Sequence, residues 1–190
     1  PRVREVAALC EAAERATAGR FSAHWRGGFD PTGYVKGWSV DVMGARHLEP
    51  LLAIPGVRSI GVNAGGDVRV WSSPEEHREW RIGIADPQRP GAVLATVGII
   101  SGAVATSGTA ERGRHIIDPA TGSAVEEVLS ATVVADDLTT ADVWATAGVV
   151  AGGDLSWIRS APVSSGLVVA SDGALRRFAG GVEIESPSIW

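Results

Sequence analysis

The chain has little cysteine, little lysine and no long apolar run. A single cysteine, Cys10, among 190 residues excludes an internal disulfide, and no paired thiols offer a zinc site. Acidic residues number 22 against 17 cationic ones, a net charge of −5, and no basic stripe suits a nucleic-acid partner. The longest apolar stretch, around Val97 to Ala105, is cut by Gly98, Ser101 and Gly102. It falls short of the ~18 residues that a membrane-spanning helix needs. Lysine is almost missing: Lys36 stands alone beside sixteen arginines. Cys10 itself reads as a packed helix residue.

What is present describes a globular domain. Hydrophobic residues make up 45% of the chain, and a mean hydropathy of +0.11 at 19.7 kDa allows one domain with a real core. Pro1 stands where an initiator methionine would, and helical periodicity begins at once with Val3, Val6, Ala7, Cys10 and Ala13. An upstream segment is therefore expected to be missing. Residues 2–18 read as an amphipathic helix ended by Gly19. Residues 35–52 read as a second helix, stopped by Pro55-Gly56. Strands follow at 59–62, 67–71, 80–85, 93–100 and 104–108, with Asn63-Ala64-Gly65-Gly66 as a tight turn. Residues 114–117 and 131–135 bracket a loop holding Asp118-Pro119-Ala120-Thr121-Gly122. Thr139 or Thr140 is expected to cap a helix to about Val150, and strands 166–170 and 175–178 form a closing hairpin. Helices first and a mostly antiparallel sheet after make the class α+β.

Several residues carry possible chemistry, each beside a plainer role. Asp142 and Thr146, four apart on a helix, share one face. A carboxylate with a hydroxyl is a sparse hard-oxygen set that suits Mg²⁺, which takes its other ligands from water and phosphate. In the plain reading Asp142 is a surface-facing first-turn charge and Thr146 bonds back to a carbonyl. Lys36 lies between Gly33 and Gly37 in Phe29-Asp30-Pro31-Thr32-Gly33-Tyr34-Val35-Lys36-Gly37-Trp38. The glycines let backbone approach something closely while one compact ammonium is aimed at it, unless Lys36 is an ordinary surface cation. His115, before Ile116-Ile117-Asp118-Pro119, could remove a proton at neutral pH or pin the turn. Thr106 and Ser107 could donate to a phosphate or end a strand. The Asn63–Asp67 turn could present backbone N–H groups to a ligand or be a simple hairpin. His24, His47 and His77 share no spacing and read as surface residues. Trp38, Trp71, Trp80 and Trp144 read as core, with Trp144 turned away from Asp142 and Thr146.

The order of these motifs is more specific than any one of them. Phe-Asp-x-x-Gly-x-x-Lys-Gly-Trp, Val-Asn-Ala-Gly-Gly-Asp, Ala-Thr-Ser-Gly, His-Ile-Ile-Asp-Pro-x-Thr-Gly and Thr-x-Ala-Asp-x-x-x-Thr follow one another between Phe29 and Thr146. Together they resemble the ApbE family of FAD:protein FMN transferases, also called thiamine-biosynthesis lipoproteins. The resemblance implies an ApbE-like, T-fold-related sheet with packed helices. It implies one flavin-transferase domain over 1–190, lacking its N-terminal segment. It also implies FAD as substrate and Mg²⁺ as cofactor, with FMN passed to a Thr or Ser hydroxyl of an acceptor flavoprotein and AMP released.

By the same resemblance Asp142 and Thr146 are the metal's side-chain ligands and Gly33 adds a backbone carbonyl. Asp30, Lys36, Thr106 and Ser107 serve the flavin nucleotide. His115 touches the cofactor and is the general base, and Asp142 takes part in catalysis through the metal. Pro31-Thr32 and Tyr34-Val35 depart from the family pattern, and Tyr34 is expected to change how the flavin ring is covered. Two alternatives share these residues: an FAD pyrophosphatase that uses water as acceptor, and a non-catalytic flavin-binding module. A cytoplasmic location is preferred over an exported, membrane-associated form, which removal of an N-terminal signal would allow.

Overall fold

The computed structural model describes residues 2–25, 27–108 and 116–184. Among the described residues, helix α1 (Arg2–Ala16) and helix α2 (Thr32–His47) precede nine strands and helix α3. The strands are β1 (Ser59–Ala64), β2 (Asp67–Ser72), β3 (Trp80–Ala85), β4 (Val93–Ile99), β5 (Gly102–Gly108) and β6 (Val128–Ala135). After α3 (Leu138–Val150) come β7 (Ser165–Ala170), β8 (Leu175–Ala179) and β9 (Val182–Ile184). Seven strands form one antiparallel sheet in the order β1-β2-β5-β6-β7-β8-β9, while β3 and β4 pair separately. The class is α+β, as expected. Among the described residues no helix is long and apolar enough to cross a membrane.

Strand alternation sorts the core into two layers. Ala103, Ala105, Ala131, Val133 and Ala135 point to the face covered by α3. Val104 and Val134 point to the other face, where Ile99, Ile82 and Val97 of the separate hairpin cover them. The alanines keep the α3 side shallow, so the helix lies close on the sheet. That helix is apolar on nearly every side and nine of its thirteen residues are buried, as a helix enclosed by protein must be. Trp144 turns into this core and stacks on Trp157 with centroids 5.6 Å apart.

Some boundaries differ from the sequence reading, for local reasons. The second helix starts at Thr32 and ends at His47, and a 3-10 turn takes over at Glu49–Ala53. Pro50 there has no N–H to continue the ladder. The cap of α3 is Asp137, whose carboxylate accepts the Thr140 N–H at 2.7 Å and its hydroxyl at 2.9 Å. No strand forms at 116–117, where Ile117 makes one bridge to Ala124; residues 114–115 lie outside the described residues. Trp80 is partly exposed rather than core.

Helix α2 is held by a stripe of its own residues. Gly37, Asp41 and Gly44 recur at i, i+4 and i+7, so they share one face. A Cβ on Gly44 would clash with the edge of the Trp71 ring of β2, at Cη2 and Cζ2. Elsewhere in a helix, Gly→Ala gains up to ~1 kcal/mol in propensity. Here Gly44→Ala should instead destabilise by roughly 1–3 kcal/mol through overpacking. Urea unfolding of the variant decides the sign, and a gain in stability would mean Trp71 does not fill that space.

Candidate active site

The site forms where α2, α3, β2 and β5 converge. A Cβ on Gly37 would lie 2.8 Å from the Leu138 carbonyl oxygen and 2.9 Å from Thr139 Cα. The glycine after Lys36 therefore admits the start of α3, and the close approach is between two helices. Asp41, one turn further along α2, accepts the backbone N–H groups of Leu138 at 3.0 Å and Thr139 at 2.7 Å. Its charge there also complements the positive end of the helix. Arg69 Nε approaches the same carboxylate at 3.3 Å. Strand β2 thus sends Asp67, Arg69 and Trp71, alternate residues on one face, to Lys36, Asp41 and Gly44 of α2.

This frame places one ammonium between two buried carboxylates. Lys36 Nζ lies 2.5 Å from Asp67 Oδ2 and 3.3 Å from Asp142 Oδ1. The Asp67 contact is a close ion pair rather than an aligned hydrogen bond. Asp67 is positioned by the turn before it, where Asn63 Oδ1 accepts the Gly66 N–H at 2.9 Å and Gly65 has φ +65°. That turn is a closed hairpin whose own side chain takes the amide. Asp67 Oδ1 then accepts the Thr106 N–H at 2.9 Å. Asp67 and Asp142 are both almost fully buried, so Asp142 is not the surface-facing charge that its helix position suggested.

Burial dominates the electrostatics of Asp142. Desolvation pushes its pKa up to about 6, with Asp67 adding to the rise, while Lys36 and the Gly37 N–H oppose it. For Lys36, burial works to lower the pKa, yet Asp142 and Asp67 together outweigh it and hold the ammonium above its ordinary value. Asp142 Oδ2 is buried and has no hydrogen-bond partner among the described residues. One turn on, the Thr146 hydroxyl meets Ser107 Oγ at 3.0 Å. The donors here are all oxygen, and a buried oxygen without a partner suits a hard cation such as Mg²⁺. Among the described residues no three His, Cys, Asp or Glu side chains form a metal cluster, so the remaining ligands would be hydroxyl, carbonyl, water or phosphate oxygens.

The structure thus brings together Lys36, Asp142, Thr146 and Ser107. Thr106 contributes its backbone N–H, while its hydroxyl bonds Thr132 at 2.9 Å. Asp30 stands at the start of α2, accepting the Thr32 N–H at 3.1 Å and its hydroxyl at 2.6 Å. Gly33 is in the first turn of the same helix. Tyr34 is buried against Phe21, 6.3 Å between ring centroids, in the cluster with Cys10 and Val143. Its side chain belongs to that core cluster. His115 lies outside the described residues. Sequence reasoning missed Asp67 and Asp41. Asp67 closes the Asn-Ala-Gly-Gly-Asp string, and Asp41 follows Gly37 by one helical turn; both spacings were readable.

Similarity to known proteins agrees with the fold. The model of the ApbE family matches residues 5–165. The chain belongs to the ApbE family. It is 35% identical over 154 residues to a FAD:protein FMN transferase of Rhodobacter capsulatus, covering 75% of this chain and 28% of that protein. It is 33% identical over 118 residues to one of Salmonella typhimurium, covering 57% and 34%. The chain thus spans about a third or less of these curated relatives. The crystal structure of the ApbE protein from Thermotoga maritima superposes with a TM-score of 0.64 at 35% identity, covering 78% of this chain and 50% of that one. Apo ApbE of Pseudomonas stutzeri gives a TM-score of 0.70 at 20% identity, covering 94% and 72%, a likeness of fold.

The raised Asp142 pKa sets a pH dependence for this ApbE chain. A carboxylate protonated more readily in the fold than in the unfolded chain contributes stability that is fully present below about pH 3.8 and lost as pH rises through about 6. In metal-free buffer, the stability of wild type relative to Asp142→Asn should fall by on the order of 2–3 kcal/mol between pH 4 and 7. Urea titrations at several pH values measure it, and a flat difference would contradict the burial argument.

Proposed function

We propose that this chain carries the catalytic core of a Mg²⁺-dependent FAD:protein FMN transferase. It would cleave FAD, attach FMN through a phosphoester to a Thr or Ser hydroxyl of an acceptor flavoprotein, and release AMP. The observation that supports this best is the unpartnered, buried Asp142 oxygen beside Lys36 and one turn from Thr146. Membership of the ApbE family, with relatives named FAD:protein FMN transferase, supports the transfer of FMN from FAD to a protein.

In this reading Asp142 and Thr146, with the Gly33 carbonyl, hold Mg²⁺, and Asp30, Lys36, Thr106 and Ser107 serve the nucleotide. The bound ion would supply polarisation of the diphosphate and neutralise charge on the departing AMP. Lys36 adds a compact positive charge beside the phosphates that a broad guanidinium would deliver less well. Ser107 and Thr146 hold each other's hydroxyls at the end of β5, which orients both oxygens. His115 accepts the proton of the acceptor hydroxyl as its oxygen bonds to the FMN phosphorus and the bond to AMP breaks.

The direct test incubates the protein with FAD and Mg²⁺, with and without an acceptor domain. Protein-linked flavin fluorescence is expected to appear together with AMP. Free FMN and AMP without linked flavin would make water the acceptor, and no cleavage at all would remove the enzymatic reading. Asp142→Asn should lower cleavage by roughly 10²-fold or more without loss of folded protein, since it removes a buried charge. His115→Ala should slow transfer by roughly 10²–10⁴-fold with FAD affinity changed far less. Transfer at the wild-type rate in either variant would defeat the corresponding role.

A further inference from the structure

Asp67 is almost fully buried, accepts the Thr106 N–H on one oxygen and meets Lys36 with the other. The Thr106 bond is to strand backbone, so the carboxylate cannot easily swing away. The same ammonium stands 2.5 Å from Asp67 and 3.3 Å from Asp142, where the second Asp142 oxygen has no hydrogen-bond partner among the described residues. A lone ammonium beside a single buried carboxylate would close over it, because an unpaired charge in a low-dielectric site is costly. Two carboxylates of similar burial divide it instead, and the shorter contact goes to Asp67.

We infer that Asp67 is a positioning residue that acts through Lys36: it draws the ammonium toward β2 and so keeps the second Asp142 oxygen open for a divalent cation. The inference rests on the proposed cation site at Asp142. Lys36 is then the built-in counter-ion of the Asp67–Asp142 pair. It keeps two buried carboxylates from repelling one another while no metal is bound. It also remains near the place where diphosphate charge would arrive. Nothing in the motif string assigns this role, because Asp67 reads there as the end of a hairpin turn.

Mn²⁺ binding without FAD tests the inference independently of turnover. Free Mn²⁺ is followed by electron paramagnetic resonance for wild type, Asp67→Asn, Asp142→Asn and the double variant Asp67→Asn/Lys36→Met. Asparagine at 67 keeps an acceptor for the Thr106 N–H, so the fold is retained. Asp67→Asn is expected to bind Mn²⁺ roughly tenfold or more weakly, since Lys36 now closes on Asp142. Removing that ammonium in the double variant should return the affinity to at least the wild-type level. A purely structural Asp67 makes the opposite forecast, with the double variant as weak as Asp67→Asn or weaker, and that result overturns the inference. Asp67→Asn binding within twofold of wild type overturns it as well. If Asp142→Asn binds Mn²⁺ like wild type, or wild type binds none, the cation site at Asp142 falls and the inference falls with it.

Discussion

The contact on which the rest depends is the backbone approach of α2 to the start of α3. At Gly37 a single added carbon would lie 2.8 Å from the Leu138 carbonyl oxygen. The two helices can meet there only because that position has no side chain. Asp41 locks the approach by accepting two α3 amides at 3.0 and 2.7 Å. Those amides have no partners within their own helix, so the cap joins the two elements while meeting a local need. Lys36 precedes Gly37, and Asp142 is one turn into α3. Their meeting follows from the helix contact.

The sheet supplies the third side of the same corner. A closed turn at Asn63–Gly66 makes Asp67 the first residue of β2, and alternation puts Asp67, Arg69 and Trp71 against α2. The small residues Ala103, Ala105, Ala131 and Ala135 let α3 lie low on the neighbouring strands. Ser107 at the end of β5 consequently reaches Thr146 on α3. Four elements thus place five oxygen- or nitrogen-bearing side chains in one corner.

Such a corner is expensive to build. Two buried carboxylates with one ammonium do not balance in charge, and burial pushes Asp142 up to about pH 6. Replacing buried ionic groups with apolar ones is often neutral or stabilising, so stability alone does not account for the cluster. Perturbed groups gathered at one point are a mark of functional sites. A ligand that brings a divalent cation and phosphate would complete the arrangement, with each charge meeting a partner already fixed.

The order of short strings by itself determined the family, and periodicity determined the α+β class and most of the strands. It also singled out Lys36, Asp142 and Thr146, because a lone lysine between glycines and an i, i+4 pair are local patterns. Local pattern misplaced the cap of α3, which is Asp137, with Asp41 of α2 accepting two further amides of the same turn. Only the tertiary structure decided that Asp142 is buried and that Asp67 shares Lys36 with it. Desolvation and ion pairing depend on what surrounds a group, and here the surroundings come from a helix, two strands and a second helix far apart in the chain. Hydrophobic period reports the face on which a residue lies; the charges it meets there are decided by the packing of the others.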